Sequence, residues 1–260
     1  MKLNIKQWTI IALILLAAFG GYRSGYGNVA WQTITSLTTA LVTNIVIDWL
    51  RTKRLVISES AIITGLIIAL VTAPSSPLPE IALLAFVAIV SKFLIRFNKR
   101  TIFNPAALSL LIGVLVFNLP LGWWGDHNHI LTIIAGSLLL IEYRGQWKTV
   151  YSFLITLAAL VIIHALILNM PVVEELTFKI GISFFFAFFM LTDPKTKPLM
   201  ADQSIPFGII TAVFSFLSMI FLPSTTFIGG LLVANLTTPL LNILSLKKIR
   251  KLADVPPLHP

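Results

Sequence analysis

Ten apolar runs, each cut off by proline, glycine, asparagine or a knot of charges, take up almost all of this 260-residue chain. They fall at 7–22, 29–50, 57–73, 79–97, 103–119, 129–142, 148–169, 173–192, 205–222 and 226–245. None alternates apolar with polar residues at the period of two that a membrane-spanning strand requires, so the runs are helices. A bilayer core of about 30 Å takes about 20 residues of α-helix. Only 11% of residues are charged and 57% are hydrophobic, against roughly a quarter and a half in soluble domains, and no stretch is left over for a soluble domain. The expected fold is an all-α integral membrane protein of about ten transmembrane helices, with residues 1–260 forming a single transmembrane domain. The first run, Trp8 to Phe19, follows Lys2 and Lys6; without a small-residue cleavage site after it, it reads as the first span. Runs 57–73 and 129–142 are short for a crossing, which points to tilted, broken or re-entrant helices in a protein-lined interior.

The basic residues orient the spans. Lys2 and Lys6 precede the first run; Arg51, Lys53 and Arg54 follow the second; Lys92, Arg96, Lys99 and Arg100 surround the end of the fourth. Arg144 and Lys148 lie after the sixth, Lys195 and Lys197 after the eighth, and Lys247, Lys248, Arg250 and Lys251 after the tenth. Seventeen of nineteen Lys and Arg therefore sit on one side; Arg23 stands opposite and Lys179 lies within the eighth run. By the positive-inside rule both termini are cytoplasmic, in a bacterial cytoplasmic (plasma) membrane. The net charge of +9 is spent beside membrane ends, where it contacts anionic lipid, and no basic-aromatic soluble module exists to bind nucleic acid.

Two runs end alike: Leu70-Val71-Thr72-Ala73-Pro74 with Pro77 beyond, and Met190-Leu191-Thr192-Asp193-Pro194 with Pro198 beyond. A third Thr-x-Pro, Thr237-Thr238-Pro239, lacks the second proline. Their spacing is close to half the chain, so a duplicated unit is expected: 1–119, then 129–246, with 247–260 as a basic tail. Five spans per half is an odd number, which turns the second half over and predicts an inverted repeat. Thr72 then faces the outside and Thr192 the cytoplasm.

Candidate chemistry is sparse. Thr-x-Pro at a helix end frees carbonyls and supplies a hydroxyl for a local group or a ligand, although a plain helix stop needs nothing more. Asn104-Pro105 places a cap and a first-turn proline at the start of the fifth run, aiming N–H groups at what lies beyond it. Thr64-Gly65 is a small, polar spot in mid-span that suits helix packing. Among ionisable residues, Asp48 is expected to pair with Arg51 or Arg54, Lys179 and His164 to lie towards the outer ends, and Glu142, Glu174 and Glu175 to sit at water. Asp193, beside Lys195, is the best single acid for an ion or a hydrogen-bonded ligand. Phe184-Phe185-Phe186 and Phe188-Phe189 read as core or as a stacking wall for a flat ring, and Trp123-Trp124 as an interfacial belt. The chain has no cysteine, no His-rich metal set, no Walker loop, no dinucleotide fingerprint and no Ser-His-Asp constellation. It is not a self-contained enzyme, no metal site is expected, and any redox chemistry needs a borrowed cofactor.

The order of these motifs resembles a known family. Thr64-Gly65-Leu66, Ala69-Leu70 and Pro74-Ser75-Ser76-Pro77, then Ile102-Phe103-Asn104-Pro105-Ala106, Thr192-Asp193-Pro194, and Gly230 with Asn235-Leu236-Thr237-Thr238-Pro239-Leu240 are similar to the RnfD/NqrB family, membrane subunits of Rnf- and Nqr-type electron-transport complexes. The resemblance covers the third to tenth runs. It implies two inverted five-helix halves in a urea-transporter-like fold, working beside partner subunits. It also implies flavin: in some relatives riboflavin is held non-covalently near the Asn-Pro motif, and FMN is attached covalently to a threonine after the fifth helix. Asn104 matches the family asparagine, while Thr101 stands where relatives can carry another. The connection from Asn118 to His129 contains no threonine, so no covalent FMN is expected. The chain also lacks the family's long outer loop.

The resulting expectation is an RnfD/NqrB-like subunit that carries electrons across the membrane through non-covalent flavin (riboflavin or FMN), beside other complex subunits or extracytoplasmic flavin-bearing proteins, with ion transport as a possible coupled process. The expected cofactor-binding set is Thr64, Gly65, Thr72, Thr101, Phe103, Asn104, Thr192, Asp193 and Asn235, with phenylalanines of the eighth run over the ring. A small-solute channel or transporter on the same fold, and a purely structural membrane partner, are the alternatives.

Overall fold

The first helix begins where the sequence supplies a cap. In the computed structural model, the Asn4 side chain accepts from Gln7 N at 2.9 Å and the Gln7 side chain accepts from Asn4 N at 3.0 Å, a reciprocal capping box that starts α1 (Ile5–Ser24). The structure describes residues 4–97, 100–142, 146–198 and 200–253, with backbone alone at 142, 177, 178, 180, 182 and 244–253. The expected positions of Lys2, Lys99 and Arg144 and of the tail beyond 253 lie outside the described residues, as do the side chains of Glu142, Lys247, Lys248, Arg250 and Lys251.

Among the described residues ten α-helices follow the ten apolar runs. After α1 come α2 (Tyr26–Thr52), α3 (Glu59–Val71), α4 (Leu78–Leu94), a hairpin of β1 (Arg96–Phe97) and β2 (Arg100–Thr101), and α5 (Pro105–Phe117). The second half holds α6 (His129–Glu142), α7 (Trp147–Ile167), α8 (Val172–Phe185) with a π-turn at Phe186–Met190, α9 (Ser204–Phe221) and α10 (Thr226–Ala253). The fourth run stops early because the antiparallel pairing of Arg96 with Thr101 and Phe97 with Arg100 takes over. The first residues of the expected tail instead continue α10. Among the described residues five helices are long and apolar enough to cross a membrane, and large apolar side chains such as Ile155, Ile163 and Ile167 of α7 lie exposed along the outside, as lipid contact requires. The fold is that of an all-α membrane protein.

Packing recurs between the halves. α2 lies against α3 and α4, α4 against α5 and α1 against α3; likewise α7 lies against α8 and α9, α9 against α10 and α6 against α8. Asn4 and Lys6 at the start of α1 meet Glu59 at the start of α3, so α3 leaves the basic face of the molecule and reaches Thr72 at the far face. The π-turned end of α8 comes back to Thr192 near Lys6. From Lys6 to Gly20, which meets Trp124 in the far connection, α1 rises about 20 Å at ~1.5 Å per residue. The two Thr-x-Pro ends therefore lie on opposite faces.

Not every run is a full crossing. Helices α3 and α5 have 13 residues each, about 20 Å, against a bilayer core of about 30 Å. The irregular connection 118–128 supplies the missing length by folding back onto the end of α3, where the carbonyls of Ala69, Val71 and Thr72 find donors. Gln32 Nε2 donates to Ala69 O at 2.8 Å, Thr72 O at 3.1 Å and Thr72 Oγ1 at 2.6 Å. Gly122 N and Trp123 N donate to Val71 O at 2.8 and 3.1 Å, Ala73 N donates to Pro120 O at 3.0 Å, and Trp124 Nε1 donates to Ala69 O at 2.6 Å. Irregular backbone is tolerated at this depth because its polar groups are satisfied within the protein. Gly122 is needed for the approach, since a Cβ there would stand 2.7 Å from Ala73 Cα.

This corrects the reading of Trp123-Trp124 as an interfacial belt. Trp124 is 1% exposed, and Trp123 packs edge-on to Phe185, Phe186 and Phe227 with centroids 6.3, 6.5 and 5.7 Å away. The two indoles are the keystone of an aromatic core shared by the connection, α8 and α10, with Phe153 of α7 5.3 Å from Phe186.

Candidate functional site

A cleft opens at the basic face where α1, α3, the β-hairpin, α5 and the end of α8 converge. Its cavity volume is about 90 Å³, below the ~300–1,000 Å³ of small-molecule sites, so a ligand larger than a few atoms must extend into its open mouth. Its hydroxyl wall is Thr9, Ser60, Thr64, Thr101 and Thr192; its apolar wall includes Ile63, Ile67, Leu139, Phe188 and Phe189; its charged groups are Lys6, Lys92, Asp193 and Lys195.

Local sequence puts each of these in place. The π-turn, closed by Leu191 N donating to Phe186 O at 3.0 Å, inserts one extra residue into the end of α8 and brings both Phe188 and Phe189 to the cleft. Gly136 of α6 makes room, because a Cβ there would stand 2.2 Å from Phe188 Cγ. Thr192 Oγ1 donates back to Phe188 O at 2.6 Å and Thr64 Oγ1 to Ser60 O at 2.8 Å; each spends its proton on its own helix and keeps oxygen lone pairs for another donor. Thr101 differs: it is 7% exposed and its Oγ1 has no hydrogen-bond partner among the described residues. A buried hydroxyl without a partner is costly unless a ligand or water completes it.

Asn104 joins the two halves. Its Oδ1 accepts from Ala107 N at 3.1 Å, the N-cap expected of Asn-Pro, and its Nδ2 donates to Met190 O at 3.3 Å and Asp193 Oδ2 at 3.5 Å. Its own N–H donates to Asn235 Oδ1 at 2.9 Å, while Asn235 Nδ2 and Thr238 Oγ1 both donate to Thr196 O, at 3.4 and 3.1 Å. Arg100 of β2 grips the same turn, with Nη2 donating to Pro194 O at 2.6 Å and Lys197 O at 3.3 Å, and Nε to Lys195 O at 3.3 Å. The turn after Thr192 is thus held from α5, α10 and the hairpin together.

Asp193 Oδ1 accepts from Lys195 N at 3.0 Å. Burial pushes its carboxyl above the ordinary value, against the Lys195 N–H and the Lys195 and Arg100 charges. Burial likewise lowers Lys195, opposed by Asp193 and reinforced by Lys6 and Arg96.

Of the nine expected site residues, Thr64, Thr101, Asn104, Thr192 and Asp193 line this cleft. Asn235 stands behind it, fully buried, as the partner of Asn104. Gly65 is turned to α2, where a Cβ would stand 3.1 Å from Leu37 Cα, and Phe103 packs against the core. Thr72 lies at the other face under the 118–128 connection. Lys6, Thr9, Ser60 and Lys92 were not foreseen as site residues; the signal for Lys92 was a lysine inside an apolar run. Asp48, expected to pair with arginine, instead accepts from Asn44 Nδ2 at 2.6 Å, because one helical turn brings Asn44 onto the same face. Lys179 pairs with Glu175 at 2.6 Å, and the His164 ring stands edge-on to Phe216 at 5.5 Å. No group of three His, Cys, Asp or Glu able to hold a metal occurs among the described residues.

The model of the NQR2, RnfD, RnfE family matches residues 3–128 and 110–251. The chain belongs to this family. A curated relative from Methanosarcina acetivorans, the D component of its ion-translocating oxidoreductase complex, is 27% identical over an alignment covering 95% of this chain and 92% of that protein. The NQR2, RnfD, RnfE membership agrees with the motif resemblance in the sequence. It spans both halves, so Thr64, Thr101, Asn104, Thr192, Asp193 and Asn235 all lie within the matched residues.

Proposed function

We propose that this NQR2, RnfD, RnfE family member is the membrane subunit of an ion-translocating electron-transport complex and holds a non-covalent flavin in the cleft at its basic, cytoplasmic face. The carrying observation is the unpartnered, buried Thr101 hydroxyl in a cleft that sets a hydroxyl wall against Phe188 and Phe189. A flat heteroaromatic ring with polar edges fits those walls: Thr101 can donate or accept, Thr64 and Thr192 accept from ring N–H groups, and the two phenylalanines cover a face and exclude water. Asn104 positions rather than presents, since its amide is committed to the α5 cap and to α8. When bound, flavin takes up and passes on electrons, which the chain's own side chains cannot. Asp193, its carboxyl raised by burial, can hold a proton beside that site.

We read the two halves as an inverted repeat, which the paired packing and the opposite exits of α3 and α8 support. The Thr72 end is sealed by Gln32 and Trp124, with Thr72 itself fully buried, which favours a ligand held at one face over an open solute pore. Electrons leaving the cleft then pass to other subunits or to flavin-bearing proteins outside. With no threonine in the 118–128 connection, the flavin here is not covalently attached.

Thr101→Val tests the assignment. It keeps the shape and removes the hydroxyl, so flavin retention should weaken about tenfold, the equivalent of ~1.4 kcal/mol for one buried hydrogen bond. The melting temperature of the flavin-free protein should not fall. Undiminished flavin affinity in the variant would contradict the role of Thr101.

A further inference from the structure

The β-hairpin and α10 bound a second pocket at the basic face, with Phe97, Arg100, Ile102, Lys195, Pro239 and Ile243 in its walls. It shares only Thr101 and Lys195 with the cleft. Its cavity of about 190 Å³ is below the ~300–1,000 Å³ that encloses a whole small molecule, which suits a ligand that inserts a headgroup and leaves the rest of itself outside.

Positive charge at this pocket lacks a counter-ion. The Arg100 guanidinium gives its Nε and Nη2 to the neutral carbonyls of Pro194, Lys195 and Lys197, and its enclosed Nη1 has no acceptor among the described residues. Lys195 is exposed, and among the described residues no carboxylate stands at ion-pair distance from its ammonium or from Arg100. Asp193 is the acid that bears on Lys195 and Lys197, and it accepts from the Lys195 backbone N–H rather than from an ammonium. Burial lowers both lysines, and the Arg100 charge lowers Lys197 further, so an anion placed here would relieve unbalanced positive charge.

Depth and shape narrow the class of anion. The apolar span of α10 runs from Thr226 to Ile243, ~27 Å at ~1.5 Å per residue, close to the ~30 Å of a bilayer's hydrocarbon core. The pocket is bounded by Asn242 and Ile243 and therefore stands at headgroup depth. From there Ile243, Leu240 and Leu236, each about one turn from the next, form an exposed apolar strip that leads back into the bilayer. A free phosphate would answer the charge but not the strip.

We infer that this pocket binds an anionic phospholipid, its phosphodiester against Arg100 and Lys195 and one acyl chain along Ile243, Leu240 and Leu236. A basic pocket beside helix ends attracts such a headgroup because the charges meet where water screens them weakly. Arg100 also grips the turn after Thr192, so the bound lipid steadies a wall of the neighbouring cleft whatever that cleft holds.

The full-length chain in neutral detergent is titrated with phosphatidylglycerol and, separately, with phosphatidylcholine of the same acyl chains, and retained lipid is counted by native mass spectrometry. Phosphatidylglycerol should be retained at least tenfold more tightly. Lys195→Gln should weaken it several-fold, and Ile243→Trp, which crowds the pocket mouth, should reduce it to the phosphatidylcholine level. Lys53→Gln removes an equal charge from the exposed end of α2 and should change nothing. Equal retention of the two lipids would overturn the inference. An equal loss in Lys53→Gln and Lys195→Gln would overturn it as well, by showing a diffuse attraction to the basic face. A rise in melting temperature with inorganic phosphate as large as that with phosphatidylglycerol would do so too, by making the pocket a site for a free anion.

Discussion

Asp126 is the residue whose burial is hardest to reconcile with its charge. It closes the one-turn 3₁₀ helix Trp124–Asp126 and is 2% exposed, and among the described residues neither carboxylate oxygen has a well-aligned hydrogen bond, His129 Nδ1 standing 3.4 Å from Oδ2. Burial pushes its carboxyl up to about 6, against the hydroxyl of Thr132 and the His129 ring. A carboxyl raised in the folded state is tolerated while protonated, below about pH 4. It costs stability progressively as pH climbs through about 6, because the folded chain then must ionise a buried group. Asp126→Asn should therefore stabilise the protein at pH 8, by about 1–3 kcal/mol, and make little difference at pH 4. Thermal unfolding of both proteins at the two pH values measures this; a variant that melts lower than its parent at pH 8 would show the carboxylate to be held by something stabilising. Nothing in the sequence around Trp-Trp-Gly-Asp-His announced this burial, since every residue in it is common at membrane interfaces.

At the scale of elements, the half-length α3 and the connection that completes it form one unit. Gln32 of α2 holds the buried end of α3, its two amide hydrogens shared among Ala69 O, Thr72 O and Thr72 Oγ1, and the Trp124 indole donates to Ala69 O as well. Gln32→Leu leaves the buried Thr72 carbonyl without its donor, while Ala69 O keeps the Trp124 indole, and should cost about 1–3 kcal/mol, seen as a lower melting temperature in detergent with helix content unchanged. An unaltered melting temperature would mean that the carbonyl finds another donor. Helix positions were legible because apolar runs and Pro or Asn punctuation act locally: Asn104-Pro105 opens α5 and Thr72-Ala73-Pro74 closes α3, whereas Pro239 of the third Thr-x-Pro lies inside α10. What was not legible is how the connections fold back. Gln32 and Thr72 are 40 residues apart, Asn104 and Asn235 131 apart, and a contact across that separation leaves no periodic trace in a single sequence. The same reason explains why Asn235 could be placed only by resemblance and why Lys92, read as a topology charge, turns out to face the cleft.

The whole molecule is two similarly packed sets of helices with a basic face and a far face, joined by a connection that plugs the far side. Since the chain contains no cysteine, single introduced cysteines report sidedness directly. Cysteines at Lys53 and Lys197 should react with a membrane-impermeant thiol reagent only after the cytoplasmic side is opened, and one at Ser224 should react in intact cells. Reaction of all three from one side would contradict the orientation. Composition and charge were enough for the class and the orientation expected of it, and the ordered motifs for the family. The cleft itself needed the fold, because Lys6, Thr101, Phe188 and Lys195 converge from four separate elements. The central claim is that this cleft holds flavin without a covalent bond. Visible absorption of the purified chain, before and after acid precipitation, tests it most directly. An oxidised-flavin band that moves entirely into the supernatant on denaturation is the expected result. A chain that stays colourless after incubation with riboflavin or FMN, or whose flavin remains in the pellet, would contradict it.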